Sequence, residues 1–189
     1  MSGPEIKGTS ALKPQTPYTI EDYLSWDDGL RWELIDGEVY AMSPTPRPKH
    51  QEITGELHYQ LKHFLKGKTC KPYISPIDVF LENEETVVQP DVLVICDPTK
   101  ILEKGIKGAP DFIAEILSDS TAMKDLNRKK VLYEAHGVKE YWMVSQDDGT
   151  VLAYRLEENR FGHVQEYKPE EPVQSQIFPG FIWEDHDYR

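Results

Sequence analysis

The chain has 189 residues, of which 39% are hydrophobic and 29% charged, enough apolar material for one domain with its own core. No uninterrupted apolar run approaches the roughly 18 residues needed to cross a bilayer, so the composition excludes membrane-spanning, collagen-like and fully disordered proteins. The net charge of −12 argues against a protein that coats nucleic acid through bulk electrostatics.

The charge is distributed unevenly along the chain. Residues 44–72 hold six Lys or Arg against two Glu, and residues 100–130 hold seven against five acidic residues, whereas the regions around them are acidic. A polyanion would therefore have to meet the middle of the chain. Lys62, Lys66 and Lys68 also suit a solvated helix face and a C-terminal turn that bind nothing.

The ends and the cysteines give few functional signals. Residues 1–17 are polar, contain three prolines and show no periodicity, which is typical of a disordered arm, and residues 18–189 are predicted to form a single domain. Cys70 and Cys96 are too far apart for a zinc or redox motif, and the N-terminus lacks the order of a signal peptide. We therefore expect a reducing, cytoplasmic location.

A short helix, a hairpin and a long helix are predicted first along the chain. Thr19 with Asp22 three residues later is typical of a capped helix start. Trp32–Ile35 and Glu38–Met42 flank an Asp-Gly turn and predict a hairpin. From about residue 49 to 66 apolar residues recur at helical spacing, which predicts the first long helix.

The rest of the chain alternates between strand and helix patterns. An acidic turn separates two β-branched runs, which predicts an antiparallel pair, and a Lys/Gly-rich connection leads to a third strand, a helix that ends before Gly137, and a fourth strand. A C-terminal hairpin turns near residues 157–159. The predicted strands are Tyr73–Leu81, Val87–Ile95, Asp111–Leu117 and Glu140–Ser145, with the hairpin from about Val151 to Tyr167. From residue 49 to 145 the predicted order is α-β-β-β-α-β.

Two carboxylates interrupt strands that are otherwise suited to burial. Asp91 lies within the run Val87–Ile95, and Glu115 lies within Phe112–Leu117. Desolvating a carboxylate is costly unless a cation or a proton compensates. If these two strands are antiparallel neighbours, the start of one lies beside the end of the other, so we expect Asp91 next to Glu115 at one edge of the sheet.

A lysine on the following helix can reach these carboxylates. Lys129 has Leu126, Leu132 and Tyr133 three or four residues away, so its stem lies against the apolar stripe that faces the sheet. Lys130 is almost equally well placed, and periodicity does not choose between the two lysines. A buried ion pair with no chemistry is the simpler interpretation of each residue alone; convergence of an Asp, a Glu and a Lys favours a functional site.

At this point the sequence resembles the Uma-two family of putative restriction endonucleases, a branch of the PD-(D/E)XK nuclease superfamily. The similarity spans roughly residues 18–185, and the order of the blocks makes it specific. The matching blocks are Gln89-Pro90-Asp91, Ala114–Ser118, Ser120 to Tyr133 with Asp125 and Lys129, Gly137–Trp142, Trp32–Glu38 and Pro48–Gln51 around His50. The resemblance implies a mixed α/β fold with a restriction-endonuclease-like α-β-β-β-α-β core, here with an N-terminal helix and hairpin and a C-terminal hairpin.

The match departs from the superfamily pattern in one informative place. The lysine expected two residues after the strand acid is Leu117 here. In the resembled family the following helix supplies it, at the position of Lys129, and this resolves the choice against Lys130. Asp91 and Glu115 would then hold Mg²⁺, with Mn²⁺ able to substitute, and the Ile116 carbonyl could add a ligand.

Two further residues are candidates for supporting roles. Glu33 interrupts the apolar residues of the first hairpin strand, and His50 opens the first long helix. For each, a structural hydrogen bond that tethers the hairpin or caps the helix is an equally good interpretation.

Three functions fit these residues. The first is a Mg²⁺-dependent DNA endonuclease of a prokaryotic cytoplasm, which a two-fold homodimer would suit because a duplex has two strands to cut. The second is a catalytically silent module of the same fold that binds nucleic acid or a protein partner, which the negative net charge favours. The third is a structural dimer subunit whose acidic residues serve solubility.

Overall fold

Over the described residues the fold has two mixed β-sheets, a two-stranded sheet of β14 (Val173–Gln174) and β15 (Ile182–Trp183), and three α-helices. The computed structural model describes residues 17–42, 46–117 and 122–184, apart from the side chains of 122–126. The helices are α1 (Ile20–Ser25), α2 (Pro48–Phe64) and α3 (Ala122–Ala135), with a 3₁₀ turn at Pro98–Lys100. The strands are β1 (Trp32–Ile35), β2 (Glu38–Ala41), β3 (Lys71–Ile74), β4 (Val79–Phe80), β5 (Val87–Val88), β6 (Val92–Ile95), β7 (Ile101–Leu102), β8 (Gly105–Lys107), β9 (Phe112–Leu117), β10 (Glu140–Ser145), β11 (Val151–Glu157), β12 (Arg160–Phe161), β13 (Gln165–Tyr167), β14 (Val173–Gln174) and β15 (Ile182–Trp183).

The larger sheet carries the predicted core. Its strand order is β12-β11-β10-β9-β6-β3, with β13 paired to β11. β6 runs antiparallel to β9, and β9 runs parallel to β10 because α3 crosses over between them. Read in chain order, α2, β3, β6, β9, α3 and β10 form the α-β-β-β-α-β core, which confirms the predicted fold class.

The prediction of two long strands at 73–81 and 87–95 is wrong in detail, because each breaks in the middle. Pro76 and Pro90 lie at the breaks, and a proline has no backbone N–H to give to a ladder. β3 and β6 pair in the larger sheet, whereas β4 and β5 pair in a second sheet of order β2-β1-β5-β4-β8-β7. The N-terminal hairpin of β1 and β2 therefore belongs to the second sheet, where it lies next to β5, the strand that leads into β6.

The Lys/Gly-rich connection also contains structure that the pattern did not predict. β7 and β8 form a tight hairpin there and complete the second sheet. Each of these strands has only two or three residues, so its alternation is too short to be recognised among the lysines and glycines around it.

Apolar side chains cover both faces of the larger sheet. On one face, Ile53, Leu57, Leu61 and Leu65 along α2 pack with the C-terminal segment over the even-numbered residues of β9. On the other, Leu132 and Tyr133 of α3 and the second sheet pack against the odd-numbered residues of β6 and β9. Glu115 is odd-numbered and lies within β9, so the alternation directs its side chain toward α3.

Cys70 and Cys96 form a disulfide with an S–S distance of 2.05 Å, a bond that is rare in the reducing location expected from the sequence. The register pairs Lys71 with Ile95, which places the residues just beyond them side by side. Their separation of 26 residues gives no hint of this proximity. Across the described ranges, none of the helices combines the length and apolarity needed to cross a membrane.

The N-terminal hairpin is held by contacts that begin at residue 17. Thr19 and Asp22 form the predicted capping box of α1. Gly37 has a φ of +73°, and a Cβ at this position would collide with Pro17, so the turn requires glycine. Of the arm predicted at residues 1–17, only Pro17 is among the described residues.

Candidate active site

Asp91 and Glu115 lie near each other where β6 begins and β9 ends. Val92 pairs with Ala114, and Asp91 and Glu115 are the next residues beyond this last pair of the ladder. The Asp91 Oδ2 atom accepts a hydrogen bond from the Ile116 N–H at 2.9 Å. The structure therefore places the two predicted carboxylates at the same edge of the larger sheet.

Lys129 joins this edge from α3. Its Nζ atom lies 3.0 Å from Glu115 Oε1, and its side chain is only 13% exposed. Lys130 instead places its ammonium over the Tyr154 ring, 4.3 Å from the centroid. One residue along the helix rotates the side chain by about 100°, which accounts for the different environments of the two lysines.

Glu33 of β1 belongs to the same cluster. Its Oε1 atom accepts hydrogen bonds from Lys129 Nζ at 2.8 Å and from the Gln89 N–H at 2.9 Å. Both interpretations of Glu33 are therefore visible in the geometry, since the carboxylate tethers the N-terminal hairpin and also contacts the site lysine. Lys129 sits between two buried carboxylates from different sheets.

His50 contacts Asp91 from the first turn of α2. Its Nε2 atom lies 3.2 Å from Asp91 Oδ2, and its Nδ1 atom lies 3.4 Å from the Thr54 hydroxyl. The Ile116 N–H and the His50 ring thus fix the same carboxylate oxygen. Within the described part of the chain, Asp91 Oδ1 has no hydrogen-bond partner.

Burial and charge shift the ionisation of this cluster. Burial, together with the nearby charges of Asp91 and Glu33, raises the pKa of Glu115 to about 7 despite the opposing effect of Lys129. Burial lowers the pKa of Lys129, but the carboxylates of Glu115 and Glu33 outweigh it and hold that pKa above its ordinary value. Burial likewise lowers the pKa of His50, and the Asp91 contact reverses this and raises it. Lys129 is a permanent cation at neutral pH.

Tyr133 is a site residue that sequence reasoning used only as part of an apolar stripe. Its hydroxyl donates to Glu115 Oε1 at 2.7 Å and is fully buried. The signal was present, since Tyr133 follows Lys129 by four residues and so shares its helix face. Gln89 was also missed as a support; Arg31 holds its side-chain oxygen at 2.6 Å, and no sequence pattern announces that pair.

A family model described as "Uma2: Putative restriction endonuclease" matches residues 20–184. The chain belongs to the Uma2 family. An uncharacterized protein of Synechocystis, sll1609, is 27% identical over 144 residues, which cover 74% of this chain and 78% of that protein. A crystal structure from Anabaena variabilis, titled a putative nuclease belonging to DUF820, has a TM-score of 0.75 at 19% identity and covers 90% of this chain and 97% of its own. This structural similarity shows a shared nuclease-type fold.

The donor set of this Uma2-family site suits a hard divalent cation. Among the described residues no three His, Cys, Asp or Glu side chains are grouped to hold a metal by themselves. Asp91 and Glu115 supply two carboxylates at one edge, and Glu115 makes its hydrogen bonds through Oε1 within the described part of the chain. Mg²⁺ commonly binds through one or two carboxylates and completes its shell with water and substrate oxygens, so two carboxylates are sufficient.

Proposed function

We propose that this protein is a Mg²⁺-dependent DNA endonuclease that hydrolyses phosphodiester bonds. The observation that carries the proposal is the position of Lys129, whose ammonium lies 3.0 Å from Glu115 at the sheet edge shared with Asp91. Membership of a family described as restriction endonucleases and the nuclease-type fold support it. A buried lysine held between carboxylates from two sheets is an arrangement that core packing alone does not require.

Each residue has a defined task in this proposal. Asp91, Glu115 and the Ile116 carbonyl would hold Mg²⁺, or Mn²⁺ in its place. When bound, the cation supplies Lewis acidity to a phosphodiester and to water. Lys129 offers positive charge where negative charge develops on the phosphate, and its raised pKa favours this electrostatic role over that of a general base. His50 and the Ile116 N–H orient Asp91, and Glu33 and Tyr133 orient Lys129 and Glu115.

The test compares two neighbouring lysines in cleavage of supercoiled plasmid with Mg²⁺ or Mn²⁺. We expect Lys129→Ala to slow cleavage on the order of a hundredfold, whereas Lys130→Ala changes it far less. Because Lys129→Ala leaves two buried carboxylates without their cation, circular dichroism must show that it folds, and Lys129→Met provides a second variant that keeps the apolar stem. Equal activity of native protein and folded Lys129 variants contradicts the proposal.

A silent binding module of the same fold is the second candidate. The net charge of −12 favours it, and so does the small number of acidic ligands at the site. Duplex binding without cleavage of single-stranded, duplex or supercoiled DNA in either metal would support this candidate over the enzyme.

We further propose a two-fold homodimer in a prokaryotic cytoplasm. A dimer would present two sites to the two strands of a duplex. Sedimentation velocity tests the homodimer, because a monomer at micromolar concentration contradicts it. Cell fractionation tests the cytoplasmic location.

A further inference from the structure

A second region of the molecule concentrates positive charge away from the candidate active site. Between Glu56 and Asp78 the sequence has four lysines and no acidic residue, in a chain whose net charge is −12. All four line one cleft of about 360 Å³. We call it the lysine cleft, formed by Lys62, Lys66, Lys68 and Lys71.

The lysine cleft lies between the last turn of α2 and the outer edge of β3. All four lysines are exposed, and within the described ranges none has a carboxylate within ion-pair distance. Lys68 rests over the Phe64 ring, 3.3 Å from its centroid, which holds its ammonium at the cleft. Burial and the Lys62 charge lower the pKa of His58, which is consistent with a positive local potential.

Structural roles account for only part of this cluster. Lysines in the last turn of a helix interact favourably with its dipole, and this accounts for Lys62. A lysine on an edge strand discourages pairing with another chain, and this accounts for Lys71. Neither effect requires both lysines to line the same cleft with Lys66 and Lys68. Within the described ranges no carboxylate pairs with these ammonium groups, so an anion that enters the cleft is attracted by all four.

An exposed aromatic pair adjoins the lysine cleft. Tyr59 is 63% exposed, and its ring stacks with His63 at a centroid distance of 6.4 Å. Tyr59 lies three residues before Lys62 on α2, and His63 lies three residues before Lys66, which follows the end of the helix. Lysines interleaved with exposed rings favour a nucleic acid over an anionic lipid surface, because rings can contact sugars and bases.

We propose that the lysine cleft is a docking site for the sugar-phosphate backbone of the nucleic acid whose cleavage we assign to the Asp91 edge. The inference rests on the proposed function for its choice of ligand. Lys71 precedes Ser75 by four residues, roughly 13 Å along a strand, and the Ser75 N–H donates to the Asp91 carbonyl. Lys62 follows His50 by 12 residues, roughly 18 Å along a helix. The spacing corresponds to roughly four or five base pairs.

The test measures duplex binding in EDTA, where binding is separated from metal-dependent cleavage. Fluorescence anisotropy with a labelled 30-base-pair duplex at several salt concentrations gives the affinity and its salt slope. We expect the triple variant Lys62→Gln, Lys66→Gln and Lys71→Gln to reduce the slope by roughly 2 to 3 and to weaken binding at low salt at least about tenfold. The matched control replaces the exposed lysines Lys104, Lys107 and Lys168 with Gln, which removes the same charge elsewhere.

The outcomes separate this inference from the proposed function. Equal losses in the two triple variants would show a general charge effect and overturn the inference, as would binding to phosphatidylserine vesicles in preference to duplex. Loss in the cleft variant alone supports it, whether or not the native protein cuts DNA. If Lys129→Met abolishes cleavage but keeps the native salt slope, both the cleft and the proposed enzyme stand.

Discussion

Glu115 is the residue whose ionisation is most changed by its surroundings, because it is buried beside other carboxylates. Its pKa of about 7 lies above the ordinary value of 4.5. A carboxyl group with a raised folded-state pKa contributes stability below pH 4.5, and this contribution is lost as the pH rises through 7. In metal-free buffer the native protein should therefore lose on the order of 3 kcal/mol relative to Glu115→Gln between pH 4.5 and 8.

Urea unfolding in EDTA at several pH values measures this difference. Glu115→Gln serves as the control for the native protein, because Gln keeps the shape of the side chain and does not titrate. Parallel stability profiles for the two proteins would show that Lys129 holds Glu115 ionised throughout.

His50 supports Asp91 through a single contact, so its loss should weaken the proposed metal site without unfolding the protein. Residues that orient a metal ligand typically contribute 10-fold to 100-fold to metal affinity. We expect His50→Ala to reduce Mg²⁺ affinity by roughly that factor, measured as the concentration dependence of the melting temperature. His163→Ala removes an exposed imidazole elsewhere and should leave the affinity unchanged. Equal affinities of the two variants would remove His50 from the site.

At the scale of residues, the sequence predicted the carboxylates better than their partners. Asp91 and Glu115 stand out because a charge within an apolar run needs an explanation. Lys129 and Lys130 differ by one helix step, and the stripe that both flank cannot distinguish them without knowledge of what lies on either side of α3. Tyr133 and Gln89 gave weaker signals, because a tyrosine or a glutamine in such a position is ordinary.

At the scale of elements, Glu140 at the start of β10 holds the C-terminal segment against the sheet. Its carboxylate accepts from Trp142 Nε1 at 2.7 Å, Ser175 Oγ at 2.8 Å and the Ile177 N–H at 3.0 Å, and it is fully buried. Glu140→Ala should lower the free energy of unfolding by about 3 kcal/mol, because several buried donors lose their acceptor.

Glu166→Ala is the matched control, since Glu166 is exposed on β13. Its effect should stay within about 0.5 kcal/mol in the same denaturant titration. We also expect limited proteolysis to cut Glu140→Ala first near residues 173–178. A similar stability of the two variants would show that the packing of Phe178 and Phe181 is sufficient to hold the segment.

Long elements were predictable and short ones were not. α2 and β10 have enough residues for their period to emerge, and the pattern placed both within about two residues. Pro76 and Pro90 were visible in the sequence. Whether they would divide the two predicted strands depended on a second sheet, in which β4 and β5 pair, and the sequence did not predict that sheet. That sheet is built from pairs of two to four residues, for which tertiary contacts decide the conformation.

At the scale of the whole molecule, residues 1–16 are polar and show no periodicity, and the family match starts at residue 20. A chain that lacks residues 1–16 should therefore keep the melting temperature and the cleavage rate of the full chain. A chain that lacks residues 1–42 loses Glu33 and the acceptor of the Gln89 N–H, and should be severely destabilised. Calorimetry and plasmid cleavage compare the two deletions. A large effect of the shorter deletion would assign the arm a structural role.

The bridge from Glu33 to Lys129 spans 96 residues of chain. During translation the N-terminal hairpin leaves the ribosome long before α3 exists, so no nascent chain shorter than 129 residues can contain the complete cluster. Contacts this distant in sequence also form late in folding, because the loop between them must close first. The proposed cutting activity would therefore be withheld from every nascent chain shorter than 129 residues, and a cell would meet it only after Lys129 has been added.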